Sequence, residues 1–317
     1  MIETFFATLS PMAVMLACMI IGYVMKKKNI LPDNADKTIS RLETHLCLPA
    51  LMLGTFIENC TVSSIKSEWI SIIYSIIAVI IAIIIAIPLS KVFSKDKFVN
   101  NIYKYSLVFA NFGFMGNAIV PAILPGDPSL NLYKYLIFTL IPSMVVYTWG
   151  FILLVPSGNN TAKDIVKKIF NPSVIAILIG AAIGLLNLKP YIPEFMLTAV
   201  NYCKACMAPL AMILTGFVIA SYNFKGLVTN IKVYILSLIR LVLLPAVILV
   251  LLKLLGATDE MVIFAFFMVA TPTGLNTVVY PAAYGGDTTL GASMALISSV
   301  FCIVTIPLLY SLITAIL

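Results

Sequence analysis

Ala110-Asn111-Phe112-Gly113-Phe114-Met115-Gly116-Asn117-Ala118-Ile119-Val120-Pro121 and Ala270-Thr271-Pro272-Thr273-Gly274-Leu275-Asn276-Thr277-Val278-Val279-Tyr280-Pro281 are both apolar at their ends and broken in the middle. They belong to the runs 105–124 and 261–283. Proline removes a helix donor and glycine lowers helical stability, while asparagine and threonine offer side-chain partners to the freed backbone groups. At membrane depth such irregular backbone persists only where protein or a water-filled cavity covers it. Two interrupted helices therefore point to a buried polar site inside a bilayer.

The rest of the chain supplies that bilayer setting. Of 317 residues, 61% are hydrophobic and only 10% charged, with a mean hydropathy of +1.07. A soluble domain carries roughly 25% charged residues. Spanning runs of about 17–25 residues recur at 5–25, 70–89, 133–155, 234–255 and 290–316, with a shorter one at 172–188. The runs 38–57 and 195–220 are mildly polar and contain Pro49 and Pro209. With the two broken runs, the expectation is an all-α integral membrane protein of ten transmembrane helices.

Charge placement sets the orientation. The loops after odd-numbered spans carry Lys26, Lys27, Lys28, Lys37, Arg41, Lys91, Lys95, Lys97, Lys104, Lys163, Lys167, Lys168, Lys225 and Lys232. The other side carries Lys66, Lys134, Lys189, Lys204 and Lys253. The heavier side is cytoplasmic by the positive-inside rule, so both termini are expected outside the cytoplasm of a multi-pass cell-membrane protein. The opening Met1-Ile2-Glu3-Thr4 has no basic residue before the first run, which argues against a cleaved signal peptide. The net charge of +7 needs no nucleic acid to explain it, and no basic patch interleaved with aromatics is present.

A shift of 160 positions pairs Pro49 with Pro209, Met52 with Met212, Ala110 with Ala270, Pro121 with Pro281, Ala122 with Ala282 and Gly126-Asp127 with Gly286-Asp287. The matches fall in segments two and seven and in four and nine. Five spans per half is an odd number, so the second half enters from the opposite face. The expected organisation is a first repeat at 1–155, a cytoplasmic connecting loop at 156–171 and a second, inverted repeat at 172–317, as in many secondary transporters.

Few ionisable residues are candidates for chemistry. Arg240 lies deep in the eighth span, where it either serves the site or caps carbonyls of a broken helix. Glu43 and His45, ahead of Leu48-Pro49, either carry protons or form a solvated helix end. Asp127 and Asp287 read as turn or cap residues. Cys203-Lys204-Ala205-Cys206 has metal-pair spacing, but a zinc site needs about four ligands and the one histidine is distant, so the pair reads as structural. No nucleophile elbow, His-Glu-x-x-His pair or phosphate loop is present, so neither an enzyme nor a cofactor or metal is expected.

Through Asn111-Phe112-Gly113-Phe114-Met115-Gly116, Ala270 to Gly274, Asn276-Thr277-Val278-Val279 and Tyr284-Gly285-Gly286-Asp287, the chain resembles the auxin efflux carrier family over essentially its whole length. That family includes plant PIN-formed carriers and bacterial carriers of malate, malonate and similar anions. The resemblance implies ten spans, an inverted five-plus-five repeat, a scaffold and a transporter portion, and crossing fourth and ninth helices. It also implies a carboxylate-binding site at the crossover, on Asn111, Gly116 and Asn117 in the first half and Pro272, Asn276 and Thr277 in the second. Many members have a proline where this chain has Ala118, with its own proline later at Pro121, so the break is expected to differ.

The leading reading is a secondary carrier of small organic anions working by alternating access. The expected partners are a carboxylate substrate, lipid and a coupling ion, proton or sodium, with a homodimer as one assembly to consider. The alternatives are a sodium-coupled carrier or cation/proton antiporter of similar architecture, or a non-transporting sensor. Segments four and nine hold no acidic residue between Ala110 and Pro121 or between Ala270 and Pro281, which counts against a dedicated cation site.

Overall fold

A computed structural model describes residues 2–155, 171–283 and 286–317. The connecting loop at 156–170, with Lys163, Lys167 and Lys168, and the pair Tyr284-Gly285 lie outside the described residues. The described chain is helical throughout, without strands. It begins with α1 (Ile2–Lys27). Helix α2 (Ala35–Leu42) runs through a π-helical turn at Glu43–Cys47 into α3 (Leu48–Asn59), and α4 (Val62–Phe93) follows. The fourth segment is α5 (Lys97–Val108), a π turn at Phe112–Gly116 and α6 (Asn117–Ile123). The fifth is α7 (Pro128–Phe138), α8 (Leu140–Val145), a π turn at Val146–Gly150 and α9 (Phe151–Leu154).

The second half opens with α10 (Pro172–Leu185), α11 (Glu194–Ala220) and the short α12 (Phe224–Val228). Helix α13 (Ile231–Leu238) continues through a π turn at Ile239–Leu243 into α14 (Leu244–Leu254). The broken ninth segment is α15 (Asp259–Ala270) and α16 (Asn276–Ala283), and α17 (Thr289–Ile316) closes the chain.

Among the described residues, six helices are long and apolar enough to cross a bilayer, and the bent pair Pro128–Phe138 with Leu140–Leu154 makes a seventh. The other three expected spans are helical in the expected places but fail that test of length and composition. Fourteen residues in α10 rise about 21 Å, short of a hydrocarbon core about 30 Å thick. The fifth span, expected as continuous, is instead bent by 51° at Thr139. Pro142 is the cause: its ring crowds the carbonyl four residues back, at Phe138, where α7 ends.

Glycines set how closely the helices approach. A Cβ on Gly22 of α1 would stand 1.9 Å from the Ile213 carbonyl oxygen of α11, and one on Gly216 would stand 1.8 Å from that of Met19. Likewise Gly180 and Gly184 of α10 lie against Leu53, Phe56 and Cys60, at the α3 face. Small residues let membrane helices pack at backbone distance, where dispersion rather than water expulsion holds them. A displacement by five segments exchanges segment one with six and seven with two, and so pairs the α1–α11 contact with the α10–α3 contact.

These helices, with α3 against α11, form one interlocked group. The other group joins α4 to α5, α14 to α15 and α13 to α17, and α1 bridges to α17. Phe114, in the fourth segment's π turn, packs against both hydrophobic clusters of the molecule.

Candidate functional site at the helix breaks

The two breaks have different local causes. Thr271 precedes Pro272 and takes an extended conformation, which ends α15 at Ala270. Helix α5 ends at an extended Phe109, and helical winding resumes as a π turn whose start is bonded by Met115 N–H to the Asn111 carbonyl at 2.8 Å. Pro121 lies within α6, so it is not the breaker. The breaks meet: Asn111 N–H donates to the Pro272 carbonyl at 2.7 Å. Asn276 Nδ2 donates to the Tyr105 hydroxyl at 3.0 Å, tying the ninth segment to the fourth a second time.

Arg240 holds the junction from beneath. It is fully buried on the π turn before Pro245, and its Nη2 donates to the Thr271 carbonyl at 2.9 Å while Nη1 approaches that of Leu107 at 3.4 Å. Both carbonyls belong to C-terminal ends of interrupted helices, which carry partial negative charge. Among the described residues no carboxylate is paired with it. The geometry is that of a cap on two broken helices, the structural alternative for this residue.

Two cavities open on either side of this junction. The first, about 130 Å³, is lined by Ser40, Glu43 and Thr44 of segment two and by Ala211, Leu214 and Thr215 of α11. Facing them are Asn111, Phe114, Tyr147, Leu275, Asn276, Val279 and Tyr280. The second, about 440 Å³, has Leu51, Lys204, Ala205, Met207 and Ala208 on one wall and Asn117, Ala118, Pro121 and the start of α7 with Asp127 on the other. The first thus lies between segment two with α11 and segments four, five and nine, and the second between α3 with α11 and segments four and five, at opposite ends of the fourth segment's break.

The expected site residues divide accordingly. Asn111, Asn117 and Asn276 line the cavities. Asn117 Nδ2 donates to the Gly113 carbonyl at 2.6 Å, and its buried Oδ1 has no partner among the described residues. Gly116 is a packing position, since a Cβ there would stand 2.2 Å from the Tyr135 hydroxyl. Pro272 contributes its carbonyl to the junction. Thr277 faces away, donating to Gly274 O at 3.0 Å and Gly291 O at 3.3 Å.

Glu43 is 1% exposed and its Oε1 has no hydrogen-bond partner among the described residues. An acidic group thus lines the smaller cavity from segment two, although segments four and nine supply none. His45 is exposed, with Nδ1 beside the Arg41 carbonyl, and does not share that cavity. Asp127 caps α7 through Ser129 N–H at 2.8 Å, and Asp287 accepts from Thr289 N–H at 2.9 Å.

Sequence reasoning missed Tyr105, Tyr147 and Lys204. The tyrosines sit in apolar runs with no nearby signal, and Lys204 reads as a span edge. Lys204 stands 3.8 Å from Glu58 and is the cation lining the larger cavity.

No curated protein matches the chain significantly. The sequence profile described as membrane transport protein matches residues 7–164 and 159–310, one match over each half. Taken with the apolar helices and the paired breaks, these matches place the chain in the membrane transport protein family, that of the auxin efflux carriers.

Proposed function

We propose that the protein is a secondary carrier of small carboxylate anions, which bind where the breaks of segments four and nine meet. The observation that carries this reading is the direct bond between the two breaks, Asn111 N–H to Pro272 carbonyl, flanked by cavity-lining Asn111, Asn117 and Asn276. Amide N–H groups and the first turn of the eight-residue α16 favour an anion. Two cavities at opposite ends of the break suit alternating access, in which one group of helices slides against the other and only one cavity is open at a time.

Ten crossings with both termini outside the cytoplasm complete the proposal. In a background lacking the six native cysteines, a cysteine replacing Asn187 should label from outside intact cells. One replacing Lys95 should label only after lysis, and the reverse pattern overturns the orientation.

The substrate class is tested by counterflow in proteoliposomes against pyruvate, malonate, malate and a primary amine. Exchange of at least one carboxylate is expected. Exchange of the amine with no response to any carboxylate contradicts the proposal.

A further inference from the structure

Glu43 is the one acidic side chain lining the smaller cavity, and nothing in the capping of the broken helices uses it. It sits on the π turn that precedes Pro49, a local widening of the helix that turns the side chain off the ordinary helical register. The side chain is almost wholly buried, and no hydrogen bond or ion pair reaches its carboxyl among the described residues. Across the cavity stand Asn111 and Asn276, the amides assigned above to the carboxylate substrate.

The groups around it sharpen the question. From the fourth, fifth and ninth segments the polar groups lining the cavity are Asn111, Tyr147, Asn276 and Tyr280; from α11 it is Thr215, and from its own segment Ser40 and Thr44. Cys47 lies one turn along; of the helices packed against that turn, α11 carries Cys203, Lys204 and Cys206 and α2 carries Asp36, Lys37 and Arg41, none of which lines the cavity, and α10 carries no titratable residue. Among the described residues no lysine, arginine or second carboxylate lines this cavity. An ionised Glu43 would therefore face an incoming carboxylate with no cation between them. Like charges held together at low dielectric exclude one another unless a proton is shared, as in paired catalytic carboxyls.

We infer that Glu43 is the coupling site of the carrier: it takes up one proton when the carboxylate binds, donates a hydrogen bond to it as the neutral acid, and gives the proton up on the far side. This rests on the carboxylate reading above and adds the coupling ion to it. The balance is one proton gained by the Glu43 carboxylate on one side and the same proton lost to water on the other. A monocarboxylate moved this way crosses without net charge, and a dicarboxylate carries one negative charge. Because binding requires the acid form, apparent affinity is full at low pH and falls roughly tenfold per pH unit once Glu43 has lost its proton in the empty carrier, the limit for one linked proton.

The test uses wild type and Glu43→Gln in proteoliposomes with whichever of pyruvate, malonate or malate the wild type exchanges. For the wild type, a pH gradient acid on the outside, with no sodium present, should drive accumulation inside, and a trapped pH dye should report acidification of the lumen with substrate entry. Glu43→Gln keeps the shape and hydrogen bond of the acid form. It should retain counterflow, lose gradient-driven accumulation, and show an affinity that no longer varies with pH. Accumulation by Glu43→Gln driven by the pH gradient overturns the inference. So does loss of counterflow in a variant with wild-type melting temperature, which makes Glu43 a substrate-binding group only. If Glu43→Gln does not fold, the wild type alone decides: no substrate-linked proton movement, or accumulation that follows a sodium gradient, overturns it. Absence of any carboxylate exchange by the wild type is a separate outcome, which removes the carboxylate reading and this inference with it.

Discussion

Replacing Arg240 with alanine is expected to abolish transport and to lower thermal stability by more than any other single substitution at the site. The guanidinium reaches the last carbonyls of two interrupted helices, Thr271 O at 2.9 Å and Leu107 O at 3.4 Å, in a fully buried position. A hydrogen bond from a charged donor contributes about 1.5–3 kcal/mol net, and a buried carbonyl left without a partner costs a comparable amount. Loss of both is worth on the order of 3 kcal/mol or more, a fall in melting temperature of roughly 6 °C by the usual scaling. Arg240→Lys keeps the charge but presents one compact ammonium in place of a planar fork, so it serves one carbonyl and not both. Its melting temperature should fall between those of wild type and Arg240→Ala, with transport still impaired. Wild-type melting and transport in Arg240→Gln would remove Arg240 from the junction's support.

The second large effect is on affinity. Asn111 contributes its backbone N–H to the junction and its side chain to the smaller cavity, so Asn111→Ala deletes the amide without removing the bond between the breaks. Losing one charge-assisted hydrogen bond of about 1.5–3 kcal/mol weakens substrate binding roughly tenfold or more. Stability should change little, because no protein group bonds the Asn111 side chain among the described residues. Asn276→Ala differs: it also releases the Tyr105 hydroxyl, buried among packed helices, and should lower both affinity and melting temperature. Lower stability with unchanged affinity in Asn111→Ala contradicts a role in binding.

Much of this architecture was legible in the residues themselves. Pro272, preceded by Thr271, forces the ninth segment apart wherever it is placed, and Asn276 restarts it. The fourth segment was legible as broken but not where it breaks. Its extended Phe109 has no proline or glycine beside it; the bond from Asn111 N–H to the other segment holds it open, and no local propensity encodes that bond. The bend at Thr139 was readable from Pro142 yet hidden inside a continuous apolar run.

The site divided in the same way. Asparagines in broken spans announce themselves, because an amide in lipid needs a partner. The meeting of Glu43 with Asn111 and Asn276 depends on segment two packing beside four and nine, which sequence spacing does not carry. Arg240 illustrates the limit from the other side. Its depth marks it as important, but the carbonyls it caps lie 133 and 31 residues away in sequence.

The central claim is that substrate occupies the space where the two breaks meet, and site-directed protection measures it most directly. Gly113 lines two further cavities of about 50 Å³ each at the junction, one shared with Asn117 and the other with Asn111 and Asn276. A Cβ at Gly113 would meet no atom within 4 Å, so Gly113→Cys adds its side chain in open space. Gly226, equally open and far along the chain in α12, supplies the control. In a cysteine-free background, the carboxylate that the carrier exchanges should slow alkylation of Gly113→Cys with a half-effect near its transport half-saturation, and leave Gly226→Cys unaffected. Alkylation of Gly113→Cys at the same rate with and without saturating substrate, in a variant that still transports, would contradict a site at the crossover.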